Sequence, residues 1–542
     1  MQLVHFFKRG FDAIVIDLAR QMRWSFLPPL MVYFAFGCST VTAIVGTFFV
    51  KEYLDFSASY IAGLVFWAGL PWALKMPLGH LVDIIWRWKA VLIYLGGTLV
   101  AASLTIMYLV LTQAVMMQAM MPIGSWYILS YILAPCGLVL QDAVADAMSI
   151  EAVPAHHPDG TKIDENTVKN MHTTMQTLGR FALIGGTVVV ALVNIWQFSG
   201  IEALPQAEKS TIYARIYAIG LVIPLISVSG VVLASWQLRR HRRALLRAGI
   251  APDTLLEGET EAKTTPNPWY FIGGGLFVAM TLTIGLTGIP YGQEIIFCGS
   301  MAIVLFLMRQ LIARLPKAQS RMLLGTAVII FVFRATPLPG DGQTWFQVDV
   351  LKFDQQFLSV LSLITSVLTL AGLLLLRPVI ARKPIATIVV LLTVAAGILS
   401  LPNIGLYYGV QNWTAAITGG VVDARFIALL DTAVESPLAQ IAMIPMLAWI
   451  ARNAPVDLKA TFFAVMASFT NLALSASALL TKYLNTGFTI TREVRDPVSQ
   501  AITTQADYTQ LGHLLLSIAA ITVIVPLLVV LLVQLSRFRT TE

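Results

Sequence analysis

Six charged side chains stand inside long apolar stretches: Asp142, Asp146, Arg180, Arg334, Asp431 and Glu435. A charge at the middle of a bilayer costs about 2.5–3.5 kcal/mol even on permissive insertion scales, so each of them must face a partner or a wet cavity. Their spacing narrows the chemistry. Asp142 and Asp146 are four residues apart, and Asp431 and Glu435 repeat that spacing; on a helix each pair shares one face. A carboxylate in a low-dielectric site can load and release a proton near neutral pH. A guanidinium offers a fork to an anionic group. Together these groups suit a charged or amphoteric small solute, with Tyr33, Trp67 and Trp72 as candidate aromatic walls. The plainer reading of the same charges is a set of interhelical ion pairs, Asp142–Arg180 and Arg334–Asp431, that hold a bundle together.

The elements that must position these groups are membrane spans. Of the 542 residues 57% are hydrophobic and only 12% charged, about half the charge of a soluble domain, so no set of soluble domains could be covered with a wettable surface. A span needs about 20 mostly apolar residues. Fourteen segments qualify: 26–49, 58–76, 90–112, 124–148, 173–196, 212–237, 269–289, 292–313, 322–338, 356–377, 384–401, 424–449, 458–482 and 512–536. With both termini cytosolic, the inner segments hold 26 of the 36 basic residues and the outer ones 8, with Arg180 and Arg334 left inside spans. This is the asymmetry that the positive-inside rule requires.

The net charge of +7 therefore sets orientation and does not point to nucleic acid. Residues 1–25 alternate apolar and charged positions without the apolar core of a signal peptide, and read as an amphipathic helix on the inner membrane face. Residues 238–268, opened by Arg239, Arg240, Arg242, Arg243 and Arg247, read as a basic cytosolic linker. Cys38, Cys136 and Cys298 all lie in apolar runs, with no pair at metal-ligand spacing. His156, His157 and Asp159 fall in a solvated inner loop. Gly185-Gly186 and Gly273-Gly274-Gly275 lie in spans, where close helix packing explains them. No metal or cofactor is expected, and no nucleophile–base arrangement suggests an enzyme.

An internal repeat refines the architecture. The loop after the second span reads Gly79-x3-Asp83-x3-Arg87-x-Lys89, and the loop after the tenth holds Gly372, Arg377, Arg382 and Lys383 as a degraded copy. If 269–313 is an inserted hairpin, the copies fall in register in two six-helix halves, 26–237 and 314–542, as a two-half transporter requires. The loop resembles the signature loop of the major facilitator superfamily.

More residues narrow the resemblance. Leu70-Pro71-Trp72-x2-Lys75-x-Pro77-x-Gly79 and Asp142-x3-Asp146-x4-Glu151 are similar to stretches of the folate–biopterin transporter family. Thr336-Pro337, Leu351-x-Phe353, Pro445-Met446-Leu447, Pro455-x3-Lys459-Ala460-Thr461-x-Phe463-Ala464 and Ser468-x2-Asn471-Leu472 fit as well. Lys459 departs from the pattern, which has Glu there. Muropeptide permeases share part of it, including Gln141-Asp142-x3-Asp146-Ala147 and an Arg in the fifth span.

The resemblance implies a major facilitator fold in which the first and fourth helices of each half line the cavity. That would set Asp142, Arg334, Asp431 and Glu435 around one chamber, with Gly79, Asp83, Arg87 and Lys89 forming a gating loop. It also implies a folate- or pterin-like cargo. A pterin ring offers adjacent N–H and amino donors to one carboxylate, and a folate tail carries carboxylates that suit Arg334 or Arg180. The expectation is an all-α secondary transporter of the inner or plasma membrane, coupled to protons and surrounded by lipid. A muropeptide-type permease and a non-transporting membrane assembly factor on the same fold are the alternatives.

Overall fold

The computed structural model describes residues 21–54, 56–85, 88–154, 161, 163–247, 268–287, 289–313, 316–375, 384–439, 459–495 and 502–539. The N-terminal segment 1–20, most of the linker at 248–267, the loop 376–383 with Arg377, Arg382 and Lys383, and the stretch 440–458 lie outside the described residues, as do His156, His157, Asp159 and Arg87.

The described chain is helical almost throughout. In order it forms α1 (Leu27–Cys38), α2 (Ala43–Tyr53), α3 (Ala58–Gly69), α4 (Lys75–Ile84), α5 (Ala90–Thr112), α6 (Ala114–Met120), α7 (Ile123–Glu151), α8 (Glu165–Gln197), α9 (Gln206–Gly220) and α10 (Val222–Arg247). There follow α11 (Pro268–Thr287), α12 (Gly292–Ile312), α13 (Lys317–Arg334), α14 (Asp341–Asp349), α15 (Gln355–Leu375), α16 (Ile385–Tyr407), α17 (Val410–Ile417), α18 (Ala424–Ala439), α19 (Lys459–Gly487) and α20 (Leu511–Leu535). One small antiparallel ribbon, β1 (Val494–Arg495) with β2 (Ile502–Thr504), pairs Val494 with Thr504 and Arg495 with Ile502 in the loop before α20.

Ten helical stretches among the described residues are long and apolar enough to cross a membrane. The described parts of the other four expected segments form the helices α11, α13, α18 and α19. One of them, α13, carries Lys317, Arg321 and Arg334, which lower its apolar signal.

Three expected spans are not continuous, each for a local reason. The first is interrupted by a 3-10 turn at Ser39–Thr42. There the Ser39 and Thr40 hydroxyls donate back to the carbonyls of Phe36 and Gly37 at 2.7 and 3.0 Å, in competition with the helical ladder. The second is interrupted at Leu70–Leu74, where Pro71 and Pro77 remove donors. The sixth breaks between α9 and α10, because Pro224 cannot donate to the carbonyl of Gly220. The basic linker begins as helix, since α10 runs on to Arg247, with its cation at the negative end of the helix dipole.

The chain divides into two compact units. The first comprises residues 1–42, 77–197 and 205–271. Its core brings together Phe26, Val32, Ile93, Val144, Ala145 and Met175, all nearly inaccessible. Helices approach closely where glycine permits it. A Cβ on Gly37 would lie 1.9 Å from the Leu183 carbonyl oxygen, and one on Gly186 would lie 2.4 Å from that of Phe34. Gly96 and Gly137 make the same contact between α5 and α7. The second unit comprises residues 43–76, 198–204 and 272–542. Its apolar clusters include Phe346, Ile490, Leu511 and Leu514, and Phe353 with Phe357 and Ala428.

The glycine contacts give a paired test. Gly186→Val should lower the melting temperature of the purified protein by several degrees, because backbone atoms of α1 cannot yield. Gly185→Ala, whose Cβ would meet nothing within 4 Å, should leave it unchanged, as read by a thermal shift assay on both variants.

Candidate functional site

The polar groups expected from the sequence fall into two centres, one in each unit. In the first unit, Asp142 and Asp146 lie one turn apart on α7, both half-buried. Tyr33 of α1 donates its hydroxyl to Asp146 Oδ1 at 2.7 Å. The Tyr33 ring lies flat on α8 at Gly179, where a Cβ would come within 3.0 Å of two ring carbons. Arg180 is the next residue of α8. Three helices thus converge on the paired carboxylates, and the missing side chain at Gly179 makes room for the phenol that holds one of them.

One turn toward the end of α7 the polar chain continues. Gln176 Nε2 donates to Ser149 Oγ at 3.0 Å, and Ser149 Oγ donates to the Asp146 carbonyl at 2.7 Å. Glu151 pairs with Lys89 at 2.9 Å. The lysine of the signature loop therefore meets the last acid of the Asp-x3-Asp-x4-Glu segment, a contact that neither spacing reveals. Gly79 lies on α4, where a Cβ would find open space. The Asp83 side chain lies outside the described ones.

In the second unit Asp431 of α18 is 9% exposed. Asn403 of α16, next to the in-helix Pro402, donates Nδ2 to Asp431 Oδ2 at 2.8 Å. Gln343 and Gln347 of α14 donate to Asn403 Oδ1 at 2.8 and 3.4 Å. Because both glutamines supply donors, Asn403 turns its own donor toward the acid. Glu435 follows one turn after Asp431 on α18, with its side chain outside the described ones. Arg334 is the last residue of α13. Its Nε is buried and has no hydrogen-bond partner among the described residues.

The segment after Arg334 is held by one polar face of α19. Ser477 Oγ donates to the Thr336 carbonyl at 2.6 Å. Thr481 Oγ1 accepts from Leu338 N–H at 2.9 Å, and Asn485 Nδ2 donates to the Pro339 carbonyl at 3.2 Å. Gly340 has φ +74° and ψ −171°, a left-handed-side conformation that a side chain would strain.

A third centre was not anticipated. Asp349, at the end of α14, receives Lys51 Nζ of α2 and the Tyr508 hydroxyl, each at 2.5 Å. Burial and the Asp349 carboxylate together push the Tyr508 phenol well above its usual range. Nearby, Arg492 stands 5.1 Å over the Trp345 ring. Burial pushes Asp341, the first residue of α14, up to about 6 from its ordinary 3.8, against the opposing field of Arg492.

Of the candidate walls, Tyr33 belongs to the first centre, Trp67 packs into an apolar cluster with Phe66 and Leu70, and the Trp72 carbonyl accepts from Asn471 at 3.2 Å. The last contact joins two motif stretches, around residues 70–79 and 468–472.

With this geometry in place, likeness to known proteins becomes informative. The sequence model of the BT1 family matches residues 37–540. A folate–biopterin transporter of Synechocystis sp. is 21% identical over 469 residues, which span 85% of this chain and 75% of that protein. Among solved structures, a POT family transporter in complex with 5-aminolevulinic acid superposes with a TM-score of 0.60 at 13% identity, over 96% of both chains. A D-xylose–proton symporter superposes with a TM-score of 0.51 at 12% identity, over 93% of this chain and 95% of that one. These likenesses establish a helical fold of the major facilitator kind.

The raised Asp341 carboxyl predicts a pH dependence. Because the folded state holds the proton more tightly than the unfolded one, the stability that Asp341 contributes is present at low pH and is lost as pH rises through about 4 to 6. Asp341→Asn should therefore gain melting temperature relative to wild type across that window and keep a constant lead above it. A lead that shrinks with rising pH would contradict this sign.

Proposed function

The chain belongs to the BT1 family and is a multi-span membrane transporter, not an enzyme; from that premise we propose that it is a secondary active carrier of a small amphoteric metabolite, folate- or pterin-like, working by alternating access with proton coupling. The carrying observation is that two acids, Asp146 and Asp431, each accept a short hydrogen bond from a neutral donor, Tyr33 and Asn403. Each such bond supports the ionised acid and still lets it gain and lose a proton during a cycle.

In this reading Asp142, Asp146, Asp431 and Glu435 share proton loading and recognition of ring donors. Arg180 and Arg334 take the anionic end of the cargo. Gly79, Asp83, Arg87 and Lys89 form an inner gating loop, tied to Glu151 through Lys89. The protein crosses the inner or plasma membrane fourteen times with both termini cytosolic, as two six-helix halves, 26–237 and 314–542, joined by 238–268 and the hairpin 269–313. The name of the Synechocystis relative supports the cargo class.

Uptake of labelled folate into proteoliposomes tests this. An inward proton gradient should drive accumulation by wild type. Glu435→Gln and Asp431→Asn should abolish accumulation, each by at least about tenfold, as expected for a lost general acid–base group. Tyr33→Phe, which removes one donor and keeps the acid, should weaken it less. Gradient-independent uptake that survives both acid replacements would overturn the proton assignment. Failure of folded wild type to take up folates or pterins would overturn the cargo assignment.

A further inference from the structure

The hairpin of α11 and α12 contributes nothing to the three centres above, yet it carries a polar chain of its own. Gln293 and Glu294 lie at the start of α12. Lys482 Nζ of α19 donates to Glu294 Oε1 at 3.0 Å and to Gln293 Oε1 at 2.9 Å. The Tyr483 hydroxyl donates to the same Glu294 oxygen at 2.7 Å. Gln293 then turns its other end toward α3, where Nε2 donates to the Gly63 carbonyl at 3.1 Å. Chemistry fixes the direction of that amide, since only its oxygen can face an ammonium and only its nitrogen can face a carbonyl.

The missing side chain at Gly63 leaves room for the reach. A Cβ there would stand 3.1 Å from Gln293 Nε2, closer than ordinary contact. Beside this chain an apolar cluster draws on the same partners: Phe66 from α3 and Leu70 from the turn that follows it, Phe277 and Ile296 from the hairpin, and Ala478 and Leu479 from α19.

We infer that the inserted hairpin is a clamp joining α3 to α19, with Glu294 as its fixed anchor on α19 and the Gln293–Gly63 bond as its releasable end. The asymmetry follows from bond type. Among the described residues the polar hold on the α19 side is charge-assisted, whereas that on the α3 side is a neutral amide–carbonyl bond. The purpose of the clamp rests on the transport reading. On that reading, any parting of α3 from the hairpin during the cycle begins at the Gln293 side, which is the one that yields.

Hydrogen–deuterium exchange on the full-length protein in lipid nanodiscs tests the clamp without reference to any cargo. Gln293→Leu and Gly63→Val remove the same bond from opposite sides. Each should speed exchange across 57–69 by about fivefold, the effect of one lost hydrogen bond, while 476–487 exchanges as in wild type. Glu294→Gln should speed exchange in both segments. Exchange across 90–112, which belongs to the first unit, serves as the control for global unfolding in each variant. If 57–69 keeps the wild-type rate in Gln293→Leu, the hairpin does not hold α3 and the inference falls. If the variants behave as expected but wild-type proteoliposomes accumulate no solute, the clamp stands and the transport reading fails.

Discussion

Lipid offers no hydrogen bonds, and a polar group carried into it must therefore be satisfied by the protein itself. That constraint organises most of what is distinctive here. Asp146 is met by a phenol, Asp431 by an amide, and the bare segment Thr336–Gly340 by three polar side chains of α19. Lipid also removes the hydrophobic force that packs helices in water, leaving close van der Waals contact in its place. The Gly37–Gly186 and Gly96–Gly137 approaches supply that contact in the first unit. Tyr33 shows the two demands meeting, since Gly179 brings α8 close and so lets the ring reach Asp146.

The same constraint suggests how a buried acid can be tied to the surface. Asp431 is linked through Asn403 to Gln343 and Gln347 of α14. The far end of α14 is Asp349, bound to Lys51 and Tyr508. One short helix therefore contacts Asn403, the donor to Asp431, and also makes an ion pair with α2. In the proposed cycle, a change of charge at Asp431 would be felt along this chain of amides before it reached any backbone.

Much of the helical plan was legible in the sequence, because apolar length is a strong signal. The segment read as 90–112 is α5 to the residue, the expected span 124–148 lies within α7, and 384–401 begins one residue before α16. The breaks were less legible. Ser39 and Thr40 sit in an apolar run whose hydropathy they hardly lower, yet their hydroxyls loosen the ladder. Pairing was the least legible of all. Spacing set Asp142 and Asp146 one turn apart on one helix, as α7 has them, but it gave no sign that Tyr33 and Asn403, 113 and 28 positions away, donate to Asp146 and Asp431. Lys51, Asp349 and Tyr508 are still farther apart in the chain, and no local pattern relates them.

The central claim is that solute and proton cross together, with the buried acids as the coupling groups. It is tested most directly by trapping a pH-sensitive dye inside proteoliposomes and adding folate or pterin outside. The account predicts that the lumen acidifies when solute is added to wild type and stays constant with Asp431→Asn. Solute entering wild-type vesicles while the luminal pH does not move would contradict it.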